Sequence, residues 1–116
     1  MKRLHFLLIL VILIPFGCGK SMDENSIRST AQGEVIGFKE GETYVWRGVP
    51  FAKPPINELR WKAPRPPKPF EARFEAKEFS EECFQPQGIM TGEEGGRTGS
   101  EDCLYLNIWS PAWSSQ

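Results

Sequence analysis

The stretch Ser100–Pro111, SEDCLYLNIWSP, decides how this chain is read. An acidic pair, Glu101 and Asp102, leads into Cys103. An apolar and aromatic run follows, Leu104, Tyr105, Leu106, Ile108 and Trp109, broken only by Asn107. A short apolar run bounded by polar residues and a proline predicts a well-buried strand. Pro111 has no N–H to give to a ladder, so the strand is expected to end there. Cys103 stands at the strand's entrance, where a disulfide could fix the incoming loop to the sheet.

Upstream, Gln85 to Ser100 holds five glycines, Gly88, Gly92, Gly95, Gly96 and Gly99, and no strand pattern. That predicts a surface loop running from Cys83 towards Cys103. Glu71 to Glu82, EARFEAKEFSEE, is charged, with Phe74 and Phe79 as its apolar points, and allows one or two helical turns. Before it, seven of the ten prolines lie between Pro50 and Pro69. Such a segment cannot be a helix interior or a central strand. It is expected to wrap a surface as extended or polyproline-like chain, with Phe51, Trp61 and Phe70 spaced to tack it onto a core. Read alone, PRPPKP from Pro64 also has the form of a ligand for an aromatic-lined groove on a partner domain. Earlier still, AQGEVIGF from Ala31 and GETYVWRGV from Gly41 are two β-rich runs. Joined by Lys39-Glu40-Gly41, they predict a hairpin with a glycine turn.

The chain opens with Lys2 and Arg3, then the apolar run Leu4 to Phe16, then Gly17-Cys18-Gly19. A basic start, an apolar core and a small residue at the break predict a secretory signal peptide over residues 1–17. The run is about 13 residues, short for the ~30 Å of hydrocarbon that a spanning anchor must cross. Cys18 directly after Gly17 resembles a bacterial lipoprotein cleavage site, although Pro15 stands where that pattern usually has Leu. Lipidation of Cys18 would hold the mature protein on a membrane surface without a spanning helix. Ordinary cleavage nearby is the alternative, and the expected location is a bacterial membrane surface, the periplasm or the exterior. Residues 18–30 are polar, with Ile27 isolated, and are expected to be a flexible tether. The folded part is then 31–116.

At 116 residues the chain has room for one small domain at most. Its formal net charge is -1. Taking Lys2 and Arg3 away with the leader leaves 12 basic residues against 15 acidic ones, a weakly acidic balance of about −3. That gives no electrostatic reason to bind nucleic acid. No block of five like charges forms an interaction tail.

EDCLYLNIWSP resembles the second signature of the type-B carboxylesterases, the cholinesterase-like branch of the α/β-hydrolases. That signature is an acidic residue, D-C-L, an aromatic, an aliphatic, N, two apolar positions, any residue and P. Every position fits. A second stretch is similar to the same family's G-I-P-Y-A-x-P-P-x-G-x-x-R-F-x-x-P element. Here it reads Gly48-Val49-Pro50-Phe51-Ala52, Pro54-Pro55, Leu59-Arg60-Trp61 and Pro64. The glycine after Pro-Pro is missing, but Asn57 can take the left-handed turn a glycine would supply. Cys83-Phe84-Gln85 resembles the family's C-x-Q. The similarity runs from about Gly33 to Pro111. It implies the N-terminal part of an α/β-hydrolase fold: a β-hairpin, a proline-rich wrapping loop, a disulfide loop and one buried strand.

The resemblance also implies structural roles. The family's equivalents of Cys83 and Cys103 pair, and in an exported chain such a bond persists. Two free thiols or a metal site are the alternatives, but no CxxC or His pair supplies further ligands. The family's equivalents of Arg60 and Glu101 form an ion pair, in which a planar guanidinium fork fixes a carboxylate's orientation.

Hydrolysis in this family uses a serine on a G-x-S-x-G elbow, a histidine base, an acidic orienter and an oxyanion loop near H-G-G-G. None of these motifs occurs here. Gly99-Ser100-Glu101 is the nearest lookalike, and it continues into Asp102-Cys103 rather than a glycine. The only histidine is His5, inside the leader. Serine is a weak nucleophile without a base, and with the usual histidine missing the other bases to consider are a buried carboxylate, such as Asp102, or a lysine. The expectation is therefore the front segment of an exported ester hydrolase, truncated and inactive alone, with no cofactor and with an ester as substrate only once completed. The alternatives are a non-catalytic, lipid-tethered adhesion module or a decayed gene fragment. Trp46, Trp61, Trp109 and Trp113 could stack on sugars in the adhesion reading, but are expected to be core and loop anchors.

Overall fold

The computed structural model describes residues 20–86 and 96–112. The expectations for the signal peptide, Cys18 and Trp113 lie outside these residues.

Eight strands run in order: β1 (Arg28–Thr30), β2 (Gly33–Ile36), β3 (Phe38–Glu40), β4 (Thr43–Pro50), β5 (Phe74–Glu75), β6 (Gln85–Pro86), β7 (Arg97–Thr98) and β8 (Tyr105–Pro111). Three-residue 3₁₀ turns occupy Glu24–Ser26 and Asn57–Leu59. The strands form three sheets, β1-β2-β5, β3-β4-β8 and β6-β7.

The second sheet is built on a hairpin, but not between the two runs expected: Val35 and Ile36 lie in β2 of the first sheet, and Lys39 and Glu40, expected in the turn, belong to β3. β3 and β4 are antiparallel, with Phe38 opposite Val45 and Glu40 opposite Thr43, so the turn is Gly41-Glu42. Val45 and Trp46 are consecutive, yet 0% and 4% exposed. Successive strand side chains point to opposite faces, so β4 is covered on both. On one face Trp46 packs with Val35 and Ala76, flanked by Tyr44, Val49, Phe70 and Phe74. On the other, Phe38 and Val45 lie beside Arg47, whose guanidinium sits 5.0 Å from the centre of the Phe38 ring and 4.5 Å from that of Phe79.

β8 runs antiparallel to β4, Thr43 opposite Pro111 and Pro50 opposite Tyr105. It ends at Pro111 as expected, and the Ala112 N–H then donates to the Glu42 carbonyl at 3.1 Å. Its burial differs from the expectation. Leu106, Ile108 and Trp109 are 46%, 41% and 51% exposed. An apolar run reports a demand for burial, and among the described residues only β4 pairs with this strand.

Three further readings are corrected. Residues 22–30 are not a tether. Met22 bridges Phe38, the Asp23 N–H donates to the Gly37 carbonyl at 2.9 Å, and β1 pairs with β2 through Arg28 opposite Val35. Glu71–Glu82 is not helical. Phe74 and Glu75 form a parallel ladder with Val35 and Ile36, and the Ala76 N–H donates to the Ile36 carbonyl at 2.8 Å. Tertiary pairing of alternating Phe74 and Ala76 overrides a charged local sequence. The loop after Cys83 has a short ladder at its base, β6 against β7, with Gln85 opposite Thr98.

Residues 51–73 form no strand, and the 3₁₀ turn at Asn57–Leu59 is their only regular piece. Of the three aromatics expected to anchor them, Phe70 does so, stacked on Phe74 with ring centroids 4.9 Å apart. Phe51 and Trp61 do not, being 45% and 101% exposed.

Candidate functional site

The residues singled out in the sequence meet around the entrance to β8. Cys83 and Cys103 form a disulfide with Cα atoms 4.9 Å apart. The chain on either side is held by its own backbone. Cys83 lies opposite Ser100, the Ser100 N–H donates to the Glu82 carbonyl at 2.8 Å, and the Phe84 N–H to the Ser100 carbonyl at 3.2 Å. Gly99 makes this approach possible. It has φ +93°, and a Cβ there would stand 2.5 Å from the Glu82 oxygen.

Arg60 reaches the same place from the proline-rich segment. Its Nε donates to Glu101 Oε2 at 3.1 Å, and its Nη2 donates to Oε1. The backbone aims it. Asn57 has φ 50°, the left-handed conformation expected of the residue replacing a glycine. Trp61, directly after Arg60, has φ 59°, which the sequence did not signal. A bulky residue there is strained and persists only where its surroundings hold it.

Ser100 Oγ accepts the Asp102 N–H at 3.0 Å, so the hydroxyl of the lookalike elbow caps a turn. Asp102 faces Tyr105. Partial burial, and then the hydrogen bond to and charge of Asp102, raise the Tyr105 phenol above its ordinary value. Pro55, Arg60, Trp61, Phe84 and the disulfide line an open cleft of about 440 Å³. Among the described residues no three His, Cys, Asp or Glu side chains gather as a metal site. The described residues thus assemble a structural clamp, with no serine–base pair in it.

The model of the Carboxylesterase family matches residues 24–116. The chain belongs to the carboxylesterase family. It is 40% identical over 89 residues to the fumonisin B1 esterase of Sphingopyxis macrogoltabida, covering 77% of this chain and 16% of that protein. It is 38% identical to the para-nitrobenzyl esterase of Bacillus subtilis, covering 75% of this chain and 18% of that one. With the acetylcholinesterase of Danio rerio the identity is 34%, over 96% of this chain and 20% of that enzyme. Among solved structures, a PNB esterase superposes with a TM-score of 0.68 at 37% identity, covering 79% of this chain and 19% of that one. A carboxylesterase of Geobacillus stearothermophilus does so with a TM-score of 0.62 at 36% identity, covering 74% of this chain and 16% of that one. This carboxylesterase-family chain therefore spans about a fifth or less of the relatives' length, and it shares the α/β-hydrolase fold over that part.

Two residues of the carboxylesterase segment act in ways the sequence reading did not assign. Asn107 Oδ1 accepts the Gly48 N–H at 2.9 Å. It sits where the β4–β8 register shifts between Trp46 and Val49, a β-bulge in which Gly48 takes φ 66°. A lone asparagine inside an apolar run was the available signal. Ser26 is fully buried; its Oγ accepts the Gly37 N–H at 2.7 Å, and its carbonyl accepts the Trp46 indole N–H at 3.0 Å. Its signal was Asp23, whose carboxylate accepts the Asn25 N–H as a cap usually does.

Proposed function

We propose that this chain is the N-terminal segment of an exported carboxylic-ester hydrolase, and that it is inactive alone. Its place in the reaction is structural. The disulfide and the Arg60–Glu101 fork fix the entrance to β8, and sequence beyond Gln116 supplies the nucleophile, the histidine and the oxyanion loop.

The observation that carries this reading is the exposure of β8, where Leu106 and Ile108 on one face and Trp109 on the other are each about half exposed in a chain belonging to an ester-hydrolase family. An apolar strand left this open is a hazard unless further chain covers it. The relatives' names share hydrolysis and differ in substrate, so the reading takes the reaction class and assigns no acyl or alcohol group. Export, cleavage of residues 1–17 and lipidation at Cys18 belong to the same proposal. Mass spectrometry of the mature N-terminus tests them, and an unmodified start elsewhere removes the lipid anchor.

The test of function has two parts. Sequencing the gene through and beyond the codon for Gln116 is expected to reveal H-G-G-G and G-x-S-x-G in a downstream frame. The chain alone is expected to hydrolyse p-nitrophenyl acetate no faster than buffer does. Absence of such motifs in every frame, or turnover by the isolated chain, overturns the proposal.

A further inference from the structure

We infer that the fold is held close against the bilayer, with the β2–β3 junction on the membrane side, because only residues 19–21 separate Cys18 from it. Lipidation of Cys18 comes from the proposed function, and this placement rests on it. The segment that follows Cys18 is fastened at successive points. Lys20 Nζ already lies 4.9 Å from the centre of the Phe38 ring. Met22 bridges Phe38, and the Asp23 N–H donates to the Gly37 carbonyl at 2.9 Å. Ser26 Oγ donates to the Asp23 carbonyl at 2.6 Å and accepts the Gly37 N–H at 2.7 Å. Arg73 bridges Glu24 at 3.0 Å and Glu34 at 3.1 Å, which joins this segment to β2 and to the approach to β5.

Chain length turns these contacts into a distance. An extended chain spans at most about 3.6 Å per residue, so Met22 lies within about 14 Å of Cys18. A free tether over residues 18–30 would reach about 45 Å. Met22 is paired with Phe38, and Lys39 follows it, so Lys39 lies within about 25 Å of Cys18. These limits run along the chain and through its own hydrogen bonds, so sequence beyond Gln116 does not lengthen them. The acyl chains of a modified Cys18 enter the bilayer and keep that residue at the headgroups. The partner is therefore a phospholipid surface, and the start of β3 is the part of the fold held nearest to it. A domain on so short a leash has a restricted orientation and does not swing free of the membrane.

The experiment uses the full chain carrying Lys39→Cys, purified from the membranes of the producing cell and placed in vesicles of phosphatidylethanolamine and phosphatidylglycerol. Lys39 is exposed and its ion pair with Glu42, at 3.9 Å, is loose, so the substitution disturbs little. With Cys18 acylated and Cys83 bonded to Cys103, the new thiol is the single titratable one, which checks the fold before labelling. A donor dye on that thiol is paired with an acceptor on the phosphatidylethanolamine headgroups, chosen for a short transfer distance. The comparison is the same protein with about fifteen Gly and Ser residues inserted between Gly19 and Lys20, which lengthens the tether without touching the fastened segment. Energy transfer is expected to fall to about half or less in the lengthened protein. Equal transfer in the two acylated proteins overturns the close placement and leaves the lipid anchor standing. Mass spectrometry that finds Cys18 unmodified overturns the anchor, and the placement with it.

Discussion

Arg60 and Glu101, 41 residues apart, meet through two hydrogen bonds at the mouth of the Cys83–Cys103 loop. The pair joins the proline-rich segment to the entrance of β8. Both side chains are about half exposed, 56% and 44%, so solvent screens them. Arg60→Ala is expected to cost about 0.2–1 kcal/mol, a fall of a few degrees in Tm at low salt that shrinks at high salt. Arg60→Lys keeps the charge but loses the fork, and should recover only part of it. Thermal unfolding at two ionic strengths checks this; an unchanged Tm at low salt would mean the pair is idle.

The disulfide closes a loop with a sequence separation of 20 residues. In the chain-entropy view such a closure contributes about 3 kcal/mol. Cys103→Ser should lower unfolding stability by about that amount in denaturant titrations. The unreduced exported chain should show no titratable thiol at Cys83 or Cys103. Two reactive thiols would refute the bond.

Asn107 satisfies the N–H of Gly48, a buried residue in the bulge. Asn107→Leu leaves that donor without a partner and should cost about 1–3 kcal/mol, whereas Asn107→Asp retains the acceptor and should cost less. Hydrogen exchange at the Gly48 amide gives a direct reading: faster in Asn107→Leu, near wild type in Asn107→Asp. Equal protection in both variants would assign the bulge to Gly48 alone.

Ser26 tests whether the segment before β1 belongs to the fold. Ser26→Ala removes the acceptor for the Gly37 N–H and should destabilise by about 1–3 kcal/mol. The same substitution in a free tether would change nothing. Equilibrium unfolding distinguishes the two.

Tyr105 gives a pH dependence of definite sign. Burial and Asp102 raise its folded pKa above the unfolded value of about 10. The fold therefore prefers the protonated phenol. Its contribution is complete below the unfolded pKa and is lost as pH rises through the folded one. Tyr105→Phe should flatten that part of the alkaline decline. Denaturant midpoints on either side of the tyrosine range check it, and identical slopes in both proteins would remove Tyr105 from the account.

Local chemistry was enough to foresee several of these features from residue order. The glycine at 41 marked the β3–β4 turn, because a hairpin needs a residue tolerant of positive φ. Pro111 marked the end of β8, because it has no N–H to donate. Asn57 marked a left-handed turn. The motif around Cys103 identified the family, and with it the pairings of Cys83 and Arg60. Other features depended on partners far along the chain. Glu71–Glu82 became extended because β2 offered it a free edge. Residues 22–30 became structure because Ser26 found Gly37 and Trp46. Trp61 took a left-handed backbone beside the Arg60–Glu101 fork, which nothing in its local sequence announced. Hydrophobicity recorded that Leu106, Ile108 and Trp109 require burial. Only the tertiary structure decides whether a neighbour is present to provide it, because burial is a property of the surroundings and not of the residue.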